Sequence, residues 1–156
     1  MSVLRYPHPV LSLPTKPVVW KEKTVETLEK LKAELKFQCY AANGAAVAAN
    51  QIGVPVRVFY EKETDCLYVN PEIMVRAGKR ISEEEGCLSF PGLRVEIRRW
   101  DNITLQWQDM HGEKLTGTFT DFRARVVQHE LEHLDGKTFL DRFDFRTRQS
   151  LMSKVR

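Results

Sequence analysis

The stretch DFRARVVQHELEHLDG, residues 121–136, is the last strong helical pattern in the chain, and its reading decides the fold. Asp121 is an N-cap candidate and Gly136 a stop, which predicts a helix over roughly 122–134. Phe122 and Val126 precede His129 by seven and three residues, and His133 follows it by four, so all four share one face. An apolar stripe on a helix is ordinarily core. A stripe that ends in two imidazoles is less ordinary, because buried imidazoles need partners. His129 and His133 in an HExxH spacing can hold a divalent metal, with Glu130 beside a ligand and free of the ion. The bland alternative is a surface helix whose Glu130 and Glu132 are merely solvated. A catalytic zinc-type ion takes three protein ligands and leaves a position for water, so the two histidines are one ligand short.

Outward from this helix, the segments LRVEIRRW (93–100), ITLQWQ (103–108) and TGTFTD (116–121) alternate in polarity, with a turn at DMHGEKL (109–115). VRVFYE (56–61) and CLYVNPEIMV (66–75) are strand-like in their β-branched and aromatic content. Residues 24–42 carry Val25, Leu28, Leu31 and Leu35 at helical spacing, with Thr24 as N-cap and Asn43-Gly44 past the end. Residues 44–55 predict a loop with a short strand, and the proline-rich residues 1–20 an extended segment. A helix, a run of antiparallel-type strands and a final helix make an α+β fold, not a βαβ repeat. The expected architecture is antiparallel β-sheets around a central C-terminal helix carrying HExxH, covered by an N-terminal amphipathic helix.

The 156 residues suit a single domain, 1–156, and 42% hydrophobic against 29% charged residues is an ordinary globular balance. A net charge of +3 is too weak to indicate nucleic-acid specificity. The three cysteines are scattered and form no CxxC pair, which argues against a disulfide framework, a zinc ribbon or a redox motif. No signal peptide and no apolar run of membrane-spanning length is visible, so a cytoplasmic protein is expected; a monomer is expected as well.

Downstream of the helix the third ligand is hard to find. One peptidase class needs a histidine where Phe139 stands, and another needs a glutamate, yet none follows Glu132. Only Asp135, Asp141 and Asp144 remain as acids. Upstream, His8 lies between prolines and His111 in a turn, both surface settings. Cys39 and Cys66 suit inert core thiols. Cys87 differs, because EEEGCLSFPG (83–92) flanks it with Gly86 and Pro91-Gly92, and a glycine-hinged thiol can point out of the fold.

EGCLS (85–89) together with QHELEHLDG (128–136) resembles the peptide deformylases. GAAVAANQ (44–51) resembles that family's GxGxAAxQ segment, and VLRYPHPVL (3–11) its usual start. The motifs stand in the family's order and cover nearly the whole chain. The resemblance implies hydrolytic removal of the formyl group from N-formylmethionyl nascent peptides, with release of formate. It implies a metal held by Cys87, His129 and His133, Fe(II) as the native ion and zinc, nickel or cobalt as substitutes. It gives Glu130 the proton transfers, and makes the Gln51 amide and the Leu88 backbone N–H oxyanion donors. Gly44, Ala45, Ala46 and Val47 would pair with the peptide backbone. Phe122 and Val126, with Ala45 or Val47, would wall the methionine pocket, and Arg94 would bind peptide carbonyls.

The sequence departs from the family at Ala46, where a second glycine is usual, at Ala45, where a larger aliphatic is usual, and at Glu132, where aspartate is usual. Glu132 lies off the metal face, so little effect on the chemistry is expected. Many bacterial members carry a longer C-terminal helix that docks on the ribosome. Here only a short basic tail with Arg142, Arg146, Arg148, Lys154 and Arg156 follows, which reads as solvated and argues against docking through that helix. Two rival readings are an endopeptidase, against which Phe139 speaks, and a non-catalytic relative, against which the intact Gln51 and Glu130 speak.

Overall fold

The alternating segments pair into one antiparallel sheet, not several. The computed structural model describes residues 1–156. It shows β1 (Ala46–Ala48), β2 (Val58–Glu61), β3 (Cys66–Gly86), β4 (Arg94–Gln108) and β5 (Lys114–Thr120) side by side in sequence order. The segments 93–100 and 103–108 merge into the single strand β4. β3 runs eleven residues beyond the expected Val75, because β4 supplies backbone partners to residues whose side chains face water on both sides. Polarity alone therefore hid half of this strand. The β3–β4 ladder shifts register between Val69 and Glu72, Ile73 and Val75, and Ala77 and Arg80. From Arg80↔Trp100 to Gly86↔Arg94 it is unbroken.

Alternation along β4 sends Val95, Ile97, Arg99, Ile103 and Leu105 inward. Arg99 breaks the apolar pattern, and a guanidinium only 2% exposed must find acids inside.

Helix α1 (Thr24–Ala41) buries Leu28, Leu31, Leu35 and Cys39, one stripe at helical spacing, against Val58, Tyr60 and Val69 of the sheet. Its cap is Lys23, one residue earlier than expected, because the Thr24 hydroxyl accepts from the Lys21 N–H instead.

Helix α2 (Asp121–Leu134) is buried on two faces. Ala124, Val127, Leu131 and Leu134 pack on Phe59, Tyr68, Ile103, Leu105 and Phe119. The stripe from Phe122 to His133 is a different face, and its first residue is 61% exposed. At that end the stripe is not packed in the core. Thr120 occupies the cap position and Asp121 begins the helix in left-handed backbone, φ 53°.

Gly136 ends the helical region at φ 74°, and a Cβ there would meet the Leu13 carbonyl carbon at 2.5 Å. This close approach lets the N-terminal segment bind the helix end, with the Thr15 N–H and hydroxyl both donating to the Leu134 carbonyl.

The tail is not merely solvated. Asp144 caps α3 (Phe145–Met152), and Leu151, Met152 and Val155 pack on the cluster of Phe90, Leu93, Val95 and Phe139. The Arg156 N–H donates to the Pro91 carbonyl. Three hydrophobic residues in a basic segment gave too short a pattern to read as a docked helix. No helix is long and apolar enough to cross a membrane.

Candidate active site

Three elements converge at one point. Helix α2 brings His129, Glu130 and His133, the turn after β3 brings Cys87 and Leu88, and the 3-10 turn Ala49–Ile52 after β1 brings Gln51. The Cys87 Sγ lies 3.2 Å from His133 Nε2, which lies 3.2 Å from His129 Nε2. One donor atom from each of the three falls within 4.8 Å of the others. Ligands of a tetrahedral ion at typical bond lengths sit about 3.3–3.6 Å apart, so this thiol and imidazole set fits a borderline-soft divalent ion.

Charge supports the same fit. Burial disfavours the charged His129 imidazole, but contacts with Cys87 and Glu85 outweigh it and hold its pKa well above the usual range. Burial pushes the His133 pKa well down, toward the neutral form that coordinates metals. Glu130 is 5% exposed, and its Oε2 has no hydrogen-bond partner. Burial, partly opposed by His129 and Arg99, raises its carboxyl to about 7. A buried carboxyl with a free oxygen and a pKa near neutrality is suited to moving protons.

Gln51 is locked from both ends. Its Oε1 accepts from the Ala48 N–H at 2.9 Å, and its Nε2 donates to Ser89 Oγ at 3.2 Å and lies 3.7 Å from Cys87 Sγ. The Leu88 N–H takes no backbone carbonyl as partner. Gly44 packs close to the Leu88 side chain, and a Cβ there would lie 3.0 Å from Leu88 Cδ1.

Sequence reading missed a buried ionic network behind this cluster. Glu85 Oε1 lies 2.9 Å from His129 Nδ1 and fixes the ring. Arg99 donates to both Glu85 oxygens, Arg125 donates to Glu85 Oε2 at 2.7 Å, and Arg99 Nη1 also reaches Glu132 Oε1 at 2.8 Å. Burial raises the Glu85 pKa, but His129 and Arg99 outweigh it and bring it down to about 2. Glu132 is therefore not idle. Arg99 and Arg142 both donate to it, and through Arg99 and Glu85 it is linked to His129. The inward position of Arg99 in an alternating strand was the one signal that pointed here. Asn50 also went unread, and its amide donates to the His133 carbonyl.

A cleft of about 700 Å³ opens over Cys87, His129 and Glu130. Gly44, Ala45, Ala46, Leu88, Arg94, Phe122 and Val126 all border it. Val47 does not. It is fully buried in the α1 core, because its backbone and side-chain directions alternate with those of Ala46 and Ala48. β1 is an edge strand paired only with β2, so its outer edge faces the cleft. Ala48 turns its N–H to Gln51 and away from β2, and Ala46 shares that direction. The Arg94 guanidinium is 4.0 Å from Glu84 and both side chains are exposed.

The remaining candidates are elsewhere. His8 is exposed and caps a 3-10 turn, and His111 is exposed in the β4–β5 turn. Cys39 is buried, with burial raising its thiol to about 11. Cys66, expected as a core thiol, is exposed at the start of β3, facing away from the α1 core that Leu67 enters.

Residues 1–149 match the family model described as polypeptide deformylase. The peptide deformylase of Aquifex aeolicus is 39% identical over 161 residues, covering 98% of this chain and 93% of its own length. The peptide deformylase of Ehrlichia chaffeensis in complex with actinonin superposes with a TM-score of 0.90 at 28% identity, over 99% of this chain and 94% of that one. The Thermotoga maritima peptide deformylase gives 0.83 at 33% identity, over 91% and 96%. With matching sequence and fold, the chain belongs to the peptide deformylase family, metal-dependent hydrolases that remove the formyl group from nascent polypeptides.

Proposed function

We propose that Cys87 Sγ, His129 Nε2 and His133 Nε2 hold the metal on which deformylation depends, with Fe(II) as the native ion and zinc, nickel or cobalt able to replace it. The ion supplies Lewis acidity, which lowers the pKa of water and polarises a carbonyl. Glu130 accepts the proton of the attacking water and returns it to the leaving amine, which becomes the new N-terminus as formate departs. The Gln51 amide and the Leu88 N–H donate to the oxyanion that forms on the formyl carbon. Gln51 is suited to this because Ala48 and Ser89 fix its amide before substrate arrives. The outer edge of β1 at Gly44–Ala46 takes the peptide backbone as an added strand. Phe122, Val126 and Ala45 border the space for the methionine side chain, and Arg94 reaches a peptide carbonyl from the opposite wall.

The observation that carries this reading is the unpartnered Oε2 of Glu130 beside the three ligand atoms. The protein acts as a monomer in the cytoplasm. Ribosome docking through the C-terminal segment is not part of the reading, because α3 has eight residues and lays Leu151 and Met152 on its own body. Formate release from a formyl-Met-Ala-Ser peptide by anaerobically iron-loaded protein tests it, with Glu130→Gln as control. Wild type should turn over and the variant should not. Equal inactivity of both, folded and metal-loaded, would overturn it.

A further inference from the structure

A second cleft, about 350 Å³, opens beside α2 and shares no lining residue with the substrate cleft. Six arginines line it: Arg57, Arg76, Arg80, Arg98, Arg99 and Arg142. Against them stand three carboxylates, Glu72, Glu132 and Asp135, leaving an excess of three positive charges. Asp135 pairs with Arg57 at 2.7 Å, and Glu132 is shared by Arg99 and Arg142. Arg76, Arg80 and Arg98 are exposed and form no ion pair; Arg80 lies 5.9 Å from the ring centre of Trp100. The substrate cleft has the opposite balance, four glutamates against three arginines. The chain's modest net charge of +3 thus conceals a local excess of the same size on one face.

Like charges converging on a cleft repel one another unless an anion lies between them. The spacing selects the kind of anion. Arg76 stands opposite Ile103, Arg80 opposite Trp100 and Arg98 opposite Ser82, and with the register shift between Ala77 and Arg80 the three residues spread over the five steps of β4 from 98 to 103. At about 3.3 Å per residue this is roughly 17 Å, too long for one phosphate and suited to a chain of them. Arginine forks match phosphate oxygens in pairs. The recessed shape suits a strand lying along it more than a flat lipid surface.

We propose that this arginine face binds the phosphate backbone of nucleic acid without sequence preference, RNA being the form present where newly made polypeptides are found. Binding there leaves the substrate cleft uncovered, since the two have no residue in common.

Anisotropy of a labelled single-stranded RNA of about 20 nucleotides tests this on the metal-loaded protein. Each neutralised phosphate of a single strand contributes a slope of about −0.7 in log K against log salt. Three contacts therefore weaken binding about twentyfold between roughly 50 and 200 mM salt. The triple variant Arg76→Gln, Arg80→Gln, Arg98→Gln should lose that dependence, flattening the slope by about two. Its turnover of a short formyl peptide should match wild type, which also shows that it folds. Lys21→Gln, Lys23→Gln, Lys30→Gln together should leave RNA binding unchanged. If the triple variant is unstable, Arg98→Gln alone should flatten the slope by about 0.7. No RNA binding at low salt, equal losses in the arginine and lysine variants, or tighter binding of polyglutamate or anionic vesicles than of RNA would each overturn the proposal.

Discussion

Replacing Arg99 with methionine removes the cation at the centre of the buried network while keeping most of its stem volume. Arg99 is 2% exposed and donates to Glu85, itself 6% exposed, and to Glu132. Breaking a buried pair by removing one partner costs about 3–5 kcal/mol. The titration of Glu85 gives a second figure. Burial raises its pKa, but His129 and Arg99 bring it from 4.5 down to about 2. A depressed carboxyl stabilises the fold above its unfolded pKa and loses that effect as pH falls through the folded value. That depression gives an upper limit of about 3 kcal/mol at pH 7, falling to about 1 kcal/mol at pH 3. Because His129 and Arg125 also hold Glu85, the Arg99 share lies below that limit, and the loss of Glu132's partner adds to it. Arg99→Met should therefore lose about 3 kcal/mol in urea unfolding at pH 7 and clearly less near pH 3. It should also lower kcat, since Glu85, left with Arg125 as its one guanidinium partner, holds the His129 ring less firmly. A loss under about 1 kcal/mol at pH 7, or a loss that does not shrink with acid, would refute the reasoning.

Other expectations follow from single contacts. Gly136→Ala combines a left-handed φ of 74° with a Cβ 2.5 Å from the Leu13 carbonyl carbon, and should cost at least about 2 kcal/mol in thermal unfolding. An unchanged Tm would contradict it. Phe122→Ala, at a side chain 61% exposed, should leave stability within about 0.5 kcal/mol and raise KM for formylmethionyl peptide about tenfold. A destabilised variant with normal KM would return Phe122 to the core. With iron bound, timed exposure to air should abolish formate release through oxidation of the Cys87 thiolate. The nickel form should outlast it, and an air-stable iron form would speak against thiolate ligation.

What could be read from the sequence was local. HExxH carries its geometry in the helix repeat, so His129, Glu130 and His133 were placed with respect to one another before any fold was known. The order of helix, strands and helix was legible for the same reason. Failures occurred where long-range pairing decides. Val47 sits in a run of small residues with no periodicity, and only the register with Tyr60 turns it inward. Residues 76–84 are polar on both faces and become a strand only through β4. Glu85 and Arg99 lie fourteen residues apart on two strands, and nothing along the chain announces that they meet under His129. Three apolar residues in the basic tail gave no warning of α3.

The distribution of irregularities in the β3–β4 ladder has a mechanical meaning. All register shifts lie at the end distant from Cys87, and the seven pairs next to the turn are unbroken. That uninterrupted run works as a ruler, fixing the distance from Arg99 to the turn that presents the thiol. A residue inserted within 70–79 would be absorbed by loops and bulges already present. The same insertion within 81–86 would exchange the two faces of the strand end, turning Glu85 outward and carrying Cys87 away from the histidines. Tolerance to length change should thus fall sharply along a single strand, and metal content of the two insertion variants would show it.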